Sequence, residues 1–135
     1  MTRARRSERS LYERDSGYRS RFIAAHPGPW RCRYCDARIP DATGLEVDHL
    51  VPVGAARKSA LARRALRRIG AEGVNDLANL VPACHRCNRR KGAKTGLWTL
   101  RGLLGAHRWW WAAQKVAAAA LLAVELAVIL SSFPR

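Results

Sequence analysis

All four cysteines of this 135-residue chain fall in two C-x-x-C pairs, and that arrangement constrains the fold more than any other feature. Cys32 and Cys35 stand in "WRCRYCD", and Cys84 and Cys87 stand in "PACHRCN". One such pair is a weak signal. Two pairs with no cysteine to spare predict a four-thiolate structural zinc site. The N-terminus is basic, but no apolar run follows it, so no export signal is expected and two disulfides are disfavoured. A small core needs such a staple, because the last third of the chain is lopsidedly apolar and leaves few apolar residues for the rest.

The charge narrows the partners. Lys and Arg number 25 against 10 Asp and Glu, a net charge of +15. A surface of that sign attracts polyanions, either nucleic acid or an anionic membrane.

Residues 1–9 read as a disordered basic arm. A helix is expected over residues 10–26, with Ser10 as cap and Glu13 completing a capping box, and with Leu11, Tyr18 and Phe22 as its apolar stripe. "HPGP" stops it, with His26 a surface residue at the stop. "WRCRYCDARI" reads as a zinc knuckle with Trp30 packed over it. "GLEVDHLVPV" alternates at Leu45, Val47 and His49, as a short strand does. Residues 55–69 read as one inserted basic helix with Ala62, Ala65, Leu66 and Ile69 on one face and Arg57, Arg64 and Arg68 on another. "ANLVPAC" is a second short strand. "HRCNRRKGAK" opens a helix that Gly92 interrupts. "GLWTLRGLLGAHR" is a short connection to the apolar tail.

The polar residues between and after the cysteine pairs are unexplained by a zinc clip. Asp48 and His49 are adjacent, and Asn88 directly follows the fourth cysteine. Phosphodiester hydrolysis needs a base that titrates near neutral pH, which histidine supplies, and a hard cation held by oxygen ligands. Asp48 offers a carboxylate and Asn88 an amide oxygen. Zinc would then hold the two elements at a set distance and take no part in the chemistry.

"CRYC", "VDHLVP" and "NLVPACHRCNRRKG", in this order, resemble the HNH endonucleases of the ββα-metal fold in their four-cysteine, zinc-stabilised form. The resemblance covers residues 32–94. It implies an α+β domain with His49 as general base, Asp48 as a ligand of a catalytic Mg2+ or Mn2+, Asn79 holding the loop and orienting the base, and Asn88 completing the metal site. The last motif position is often histidine, so this chain carries an H-N-N pattern. His85, inside the second knuckle, does not match that position and is expected to meet phosphate or solvent. The implied substrate is double-stranded DNA, and the implied products carry 3′-hydroxyl and 5′-phosphate ends. Arg57, Lys58, Arg64, Arg68, Arg86, Arg89, Arg90 and Lys91 are the expected phosphate contacts. The competing reading is a zinc-ribbon-like DNA-binding module without catalysis.

The domain is drawn over residues 10–97 and a hydrophobic helix over 98–135. Residues 109–130 hold only Gln114, Lys115 and Glu125 as polar side chains. Such a stretch is long enough to span a bilayer, with Trp109, Trp110 and Trp111 as an interface belt. Arg101 and Arg108 would keep the domain on the cytoplasmic side, so the expected location is the cytoplasm, anchored to that face of the membrane. Glu125 within the apolar run opposes insertion, and the alternative is a long helix packed on the domain or on a second copy.

Overall fold

Each cysteine pair sits where a short strand ends. A computed structural model describes residues 10–133; the expected basic arm lies outside them. Strands β1 (Trp30–Arg31) and β2 (Arg38–Ile39) pair antiparallel, Trp30 opposite Ile39, and Cys32 and Cys35 lie in the turn between them. Asp36 closes that turn at φ 60°, with its N–H donating to the Cys32 carbonyl at 2.9 Å. Strands β3 (Leu45–His49) and β4 (Leu80–Cys84) form a second antiparallel pair, from Leu45 opposite Cys84 to His49 opposite Leu80. Helix α4 (His85–Lys91) leaves β4 directly and stops at Gly92, whose φ of 51° suits glycine. The chain is thus mixed α+β with two small antiparallel sheets and a four-cysteine cluster.

The N-terminal helix is shorter than expected. Among the described residues of this span the helix is α1 (Tyr18–Ala25), and His26 caps it through an N–H bond to the Phe22 carbonyl at 2.9 Å. At the expected capping box, the Glu13 N–H donates to the Ser10 carbonyl at 3.3 Å. Asp15 breaks the run: its carboxylate accepts from the Gly17 N–H at 2.9 Å and from Arg21 at 2.7 Å. A short acidic side chain competes with the helix for backbone donors in this way.

The single basic helix is instead two, α2 (Val53–Lys58) and α3 (Ala60–Arg68). Ser59 is extended between them, and its hydroxyl accepts from the Ala62 N–H at the start of α3. Ala62 and Leu66 are buried and Ala65 and Ile69 half-buried, so the apolar face lies where the pattern put it. A 3-10 turn, Leu77–Asn79, leads into β4. There are accordingly two small cores. One, around Phe22, Tyr34, Ile39, Val47 and Leu50, lies between the knuckle and the β3–β4 sheet. The other, around Val51, Ala56, Leu66 and Val74, lies under α2 and α3.

The expected connection before the tail is itself a helix, α5 (Leu97–Leu104), and it packs on the domain. Gly102 is buried there, where any side chain would strike Leu50 and Tyr34. Arg101 Nε donates to the Tyr34 carbonyl at 2.6 Å, and the Thr99 hydroxyl to the Leu50 carbonyl at 3.3 Å. The boundary drawn after residue 97 falls at the first residue of this helix. Helix α6 (Arg108–Ser131) follows, 24 residues of which none is buried.

Candidate functional site

The sulfurs of Cys32, Cys35, Cys84 and Cys87 lie within 4.8 Å of one another. Cys35 and Cys84 Sγ are 3.8 Å apart, and a tetrahedral zinc with Zn–S bonds of about 2.3 Å separates its sulfurs by about 3.8 Å. The four thiols therefore fit a metal ion such as zinc. Burial pushes the Cys32 thiol up to about 11 and the Cys87 thiol up as well. At Cys84 burial acts upward too, but hydrogen bonds from Cys87 and the other thiols outweigh it and lower the value. A bound cation would reverse the upward shifts, since it stabilises thiolates. The cluster ties β1, β4 and α4 into one unit.

The two faces of β3 carry different chemistry. Leu45 and Val47 enter the core, while Glu46 and Asp48 meet α4. Along α4, His85, Asn88 and Lys91 recur every three residues and form the facing row. Glu46 takes His85 Nδ1 at 3.2 Å on one oxygen and Asn88 Nδ2 at 3.4 Å on the other. Asp48 Oδ2 takes the Tyr34 hydroxyl at 2.6 Å and the Lys91 ammonium at 2.9 Å. Lys91 Nζ also donates to the His49 carbonyl at 2.8 Å. Burial, and then the adjacent Asp48 carboxylate, push the Tyr34 phenol far above its ordinary value, so it stays a donor. Asp48 and Asn88, expected to share a cation, thus lie along one seam, Asp48 paired with Lys91 and Asn88 with Glu46. Their present hydrogen bonds run to those neighbours. Tyr34 and Lys91 thus share one oxygen of Asp48, and Lys91 supplies the positive charge beside it.

Lys91 corrects the sequence reading. It was expected on the DNA-facing surface, but it is buried, with its ammonium spent on Asp48 and the His49 carbonyl. It stands four residues after Cys87, and on a helix that spacing places both on the inward face. The other expected phosphate contacts are exposed: Arg57 and Lys58 on α2, Arg64 and Arg68 on α3, and Arg86, Arg89 and Arg90 on α4. His85 is also exposed, 69% by side chain, and is paired with Glu46.

His49 lies on the opposite face of β3 from Asp48 and is only 2% exposed. Its Nε2 is 3.3 Å from Asn75 Oδ1, and its ring lies 4.8 Å from that of Tyr18. Nδ1 is buried with no partner among the described residues. Burial lowers the imidazole's proton affinity below its ordinary range, and the positive charges of Arg14 and Lys91 act in the same direction. The expected convergence of His49 with Asp48 and Asn88 is not present: the three side chains have separate partners.

Asn79 is fully buried and pins the loop after β3. Its Oδ1 accepts from the Val51 N–H at 2.8 Å, and its Nδ2 donates to the carbonyls of Val74 and Val51 at 2.8 and 3.2 Å. These side-chain hydrogen bonds all go to the loop.

Four residues that touch the site escaped the sequence reading: Tyr34, Glu46, Asn75 and Tyr18. Glu46 had a signal, since it stands two before Asp48 and so shares its strand face. Asn75 and Tyr18 had none, because they reach His49 only through tertiary contacts. No family model, no curated protein and no solved structure matches the chain.

Proposed function

We propose that this chain is a metal-dependent endonuclease of the HNH type, hydrolysing DNA phosphodiester bonds with His49 as general base. The observation that carries the reading is the β3–α4 seam. Asp48 lies on β3, which pairs with β4, Asn88 lies on α4, which the cysteine cluster ties to β4, and the imidazole is the next residue of β3, on its other face. Asp48, Asn88 and Glu46 would hold a Mg2+ or Mn2+ ion, which when bound would offset the charge gathered on the phosphate. Lys91 orients Asp48 and the His49 backbone together. Exposed Arg86, Arg89 and Arg90 flank the seam and would hold neighbouring phosphates of double-stranded DNA, as would Arg64 and Arg68 on α3. Nicking of supercoiled plasmid by purified protein with Mg2+ or Mn2+ tests this. Activity that His49→Ala abolishes, with DNA affinity kept within a few fold, is the expected result. Wild-type cleavage by His49→Ala would refute the assignment of the base.

A zinc-ribbon-like DNA-binding module without catalysis is the second reading. It is favoured by the covered state of His49, and DNA binding without nicking in any variant is its outcome.

The tail adds a membrane to the proposal. Helix α6 is long and apolar enough to cross a bilayer: 24 residues rise about 36 Å, against about 30 Å of hydrocarbon. At its base Arg31, Arg108, Lys115, Trp109 and Trp111 line a concavity whose one acid, Asp36, is already paired with Arg31 at 3.2 Å. Tryptophan and free cations at that depth suit the headgroup layer. We place the domain on the cytoplasmic face. Recovery of the chain in high-salt-washed membranes is expected, and a monodisperse, detergent-free soluble species would refute the anchor.

A further inference from the structure

The hydrogen bonds around Asn75 fix which nitrogen of the neutral His49 ring carries the proton. Asn75 Nδ2 lies 2.6 Å from the Glu13 carbonyl, which can only accept. The amide oxygen must therefore face the other way, and there it accepts from the Asp15 N–H at 3.4 Å. The same oxygen meets His49 Nε2 at 3.3 Å, so Nε2 is the nitrogen that carries the proton. The lone pair of the neutral ring is then on Nδ1, which is buried without a partner among the described residues. A base that activates water must come within about 2.6–3.2 Å of it. In this arrangement one ring nitrogen is occupied and the other is sealed.

The cover is the segment before α1 together with Tyr18, the first residue of that helix. The Val74 N–H donates to the Leu11 carbonyl at 2.8 Å. Gly73 permits this close approach, since a side chain there would run into the Leu11 carbonyl. Glu13 and Asp15 are fastened to Asn75, and Tyr18 lays its ring against the imidazole. Apart from Tyr12, Gly17 and Tyr18, the side chains of residues 10–18 are exposed, so little apolar burial holds the segment down. Segments of this kind open at a small fraction of the cost of global unfolding.

We propose that residues 10–18 form a latch over His49, shown closed here, and that Asn75 and Tyr18 are its two fastenings. The inference rests on His49 being the base of the proposed nuclease. Catalysis then requires the latch to lift, so that water and the scissile phosphate reach the ring.

The test uses the full zinc-loaded chain with Tyr18→Ala, Asn75→Ala and the conservative control Tyr18→Phe. Diethyl pyrocarbonate labelling of each histidine, mapped by peptide mass, reads accessibility without reference to activity. Exposed His85 serves as the internal reference. Labelling of His49 should rise about tenfold in Tyr18→Ala and in Asn75→Ala and stay at the wild-type level in Tyr18→Phe. Plasmid nicking should rise several-fold in the same two variants. Equal His49 labelling in wild type and both alanine variants would overturn the latch. So would raised labelling with reduced nicking, since the two side chains would then orient the base instead of covering it. Raised labelling with no nicking by any protein would uphold the cover and overturn the nuclease.

Discussion

Helices α4 and α6 solve opposite problems. Helix α4 has seven residues, too few to be stable alone in water, yet it buries Cys87 and Lys91. Helix α6 has 24 residues and buries none of them. The short helix is held by what it is tied to: two thiols of the cysteine cluster, an ammonium between Asp48 and the His49 carbonyl, and the Glu46 contacts of His85 and Asn88. The long helix has only its first turns in contact with the domain, where Trp111 Nε1 donates to the Gly105 carbonyl at 3.1 Å. Its apolar surface is left for lipid or another chain to cover. Tertiary ties thus fix the short helix in place, and the long one keeps an apolar surface that the domain does not cover.

The largest break in this contrast should come from the metal. Structural zinc contributes apparent free energies of about 10–16 kcal/mol in small zinc domains, as large as a domain's whole net stability. A strong chelator, or Cys87→Ser, should melt α4 and the β3–β4 sheet, read as lost near-UV signal. Helix α6 should keep its helical far-UV signal in detergent micelles. Loss of both together would mean that α6 depends on the domain.

Lys91→Met should come next. It strips the buried Asp48 of its ammonium partner, and breaking a buried pair from one side costs about 3–5 kcal/mol. Thermal unfolding of the zinc-loaded protein should show it. Lys91→Met combined with Asp48→Asn should recover part of that loss, because no uncompensated charge then remains. An unchanged melting temperature in the single variant would mean that Lys91 is not tied in as described.

Gly102→Ala separates α5 from both. The added methyl must displace Leu50 or Tyr34, an overpacking cost of about 1–3 kcal/mol. Its effect should appear in domain stability and leave membrane recovery of α6 unchanged. A soluble, fully stable Gly102→Ala would show that α5 is not docked on Leu50.

The smallest effect belongs to Glu125→Leu. An acid inside a spanning helix costs about 1–3 kcal/mol depending on depth. Its removal should raise the fraction of chain resisting alkaline extraction from membranes and leave domain melting unaltered. More aggregation in water with no gain in membrane retention would favour a soluble α6.

Much of the architecture was legible because it rests on local signals. The C-x-x-C pairs, the alternation in "GLEVDHLVPV" and the stop at Gly92 each depend on residues within a few positions of one another. The failures share a cause. Residues 10–17 satisfy a capping pattern, yet their backbone groups bond to Val74 and Asn75, so tertiary partners outbid the helix. The basic stretch reads as one helix by periodicity, but Ser59 offers a cap at its middle and splits it. Lys91 reads as one more cation in "NRRK", although its spacing from Cys87 held the contrary signal.

What the residues determined unaided is the donor inventory: four thiols in two pairs, a carboxylate beside an imidazole, an amide behind the last cysteine, and an apolar helix of bilayer length. These follow from side-chain chemistry and near-neighbour spacing, which a linear string records in full. Tertiary structure alone decided which donors meet. It set Lys91 against Asp48, left Asn88 on Glu46, and closed residues 10–18 over His49. Those contacts join positions about 31 to 62 residues apart in the chain, where no local periodicity carries information and packing of the whole domain selects the partner.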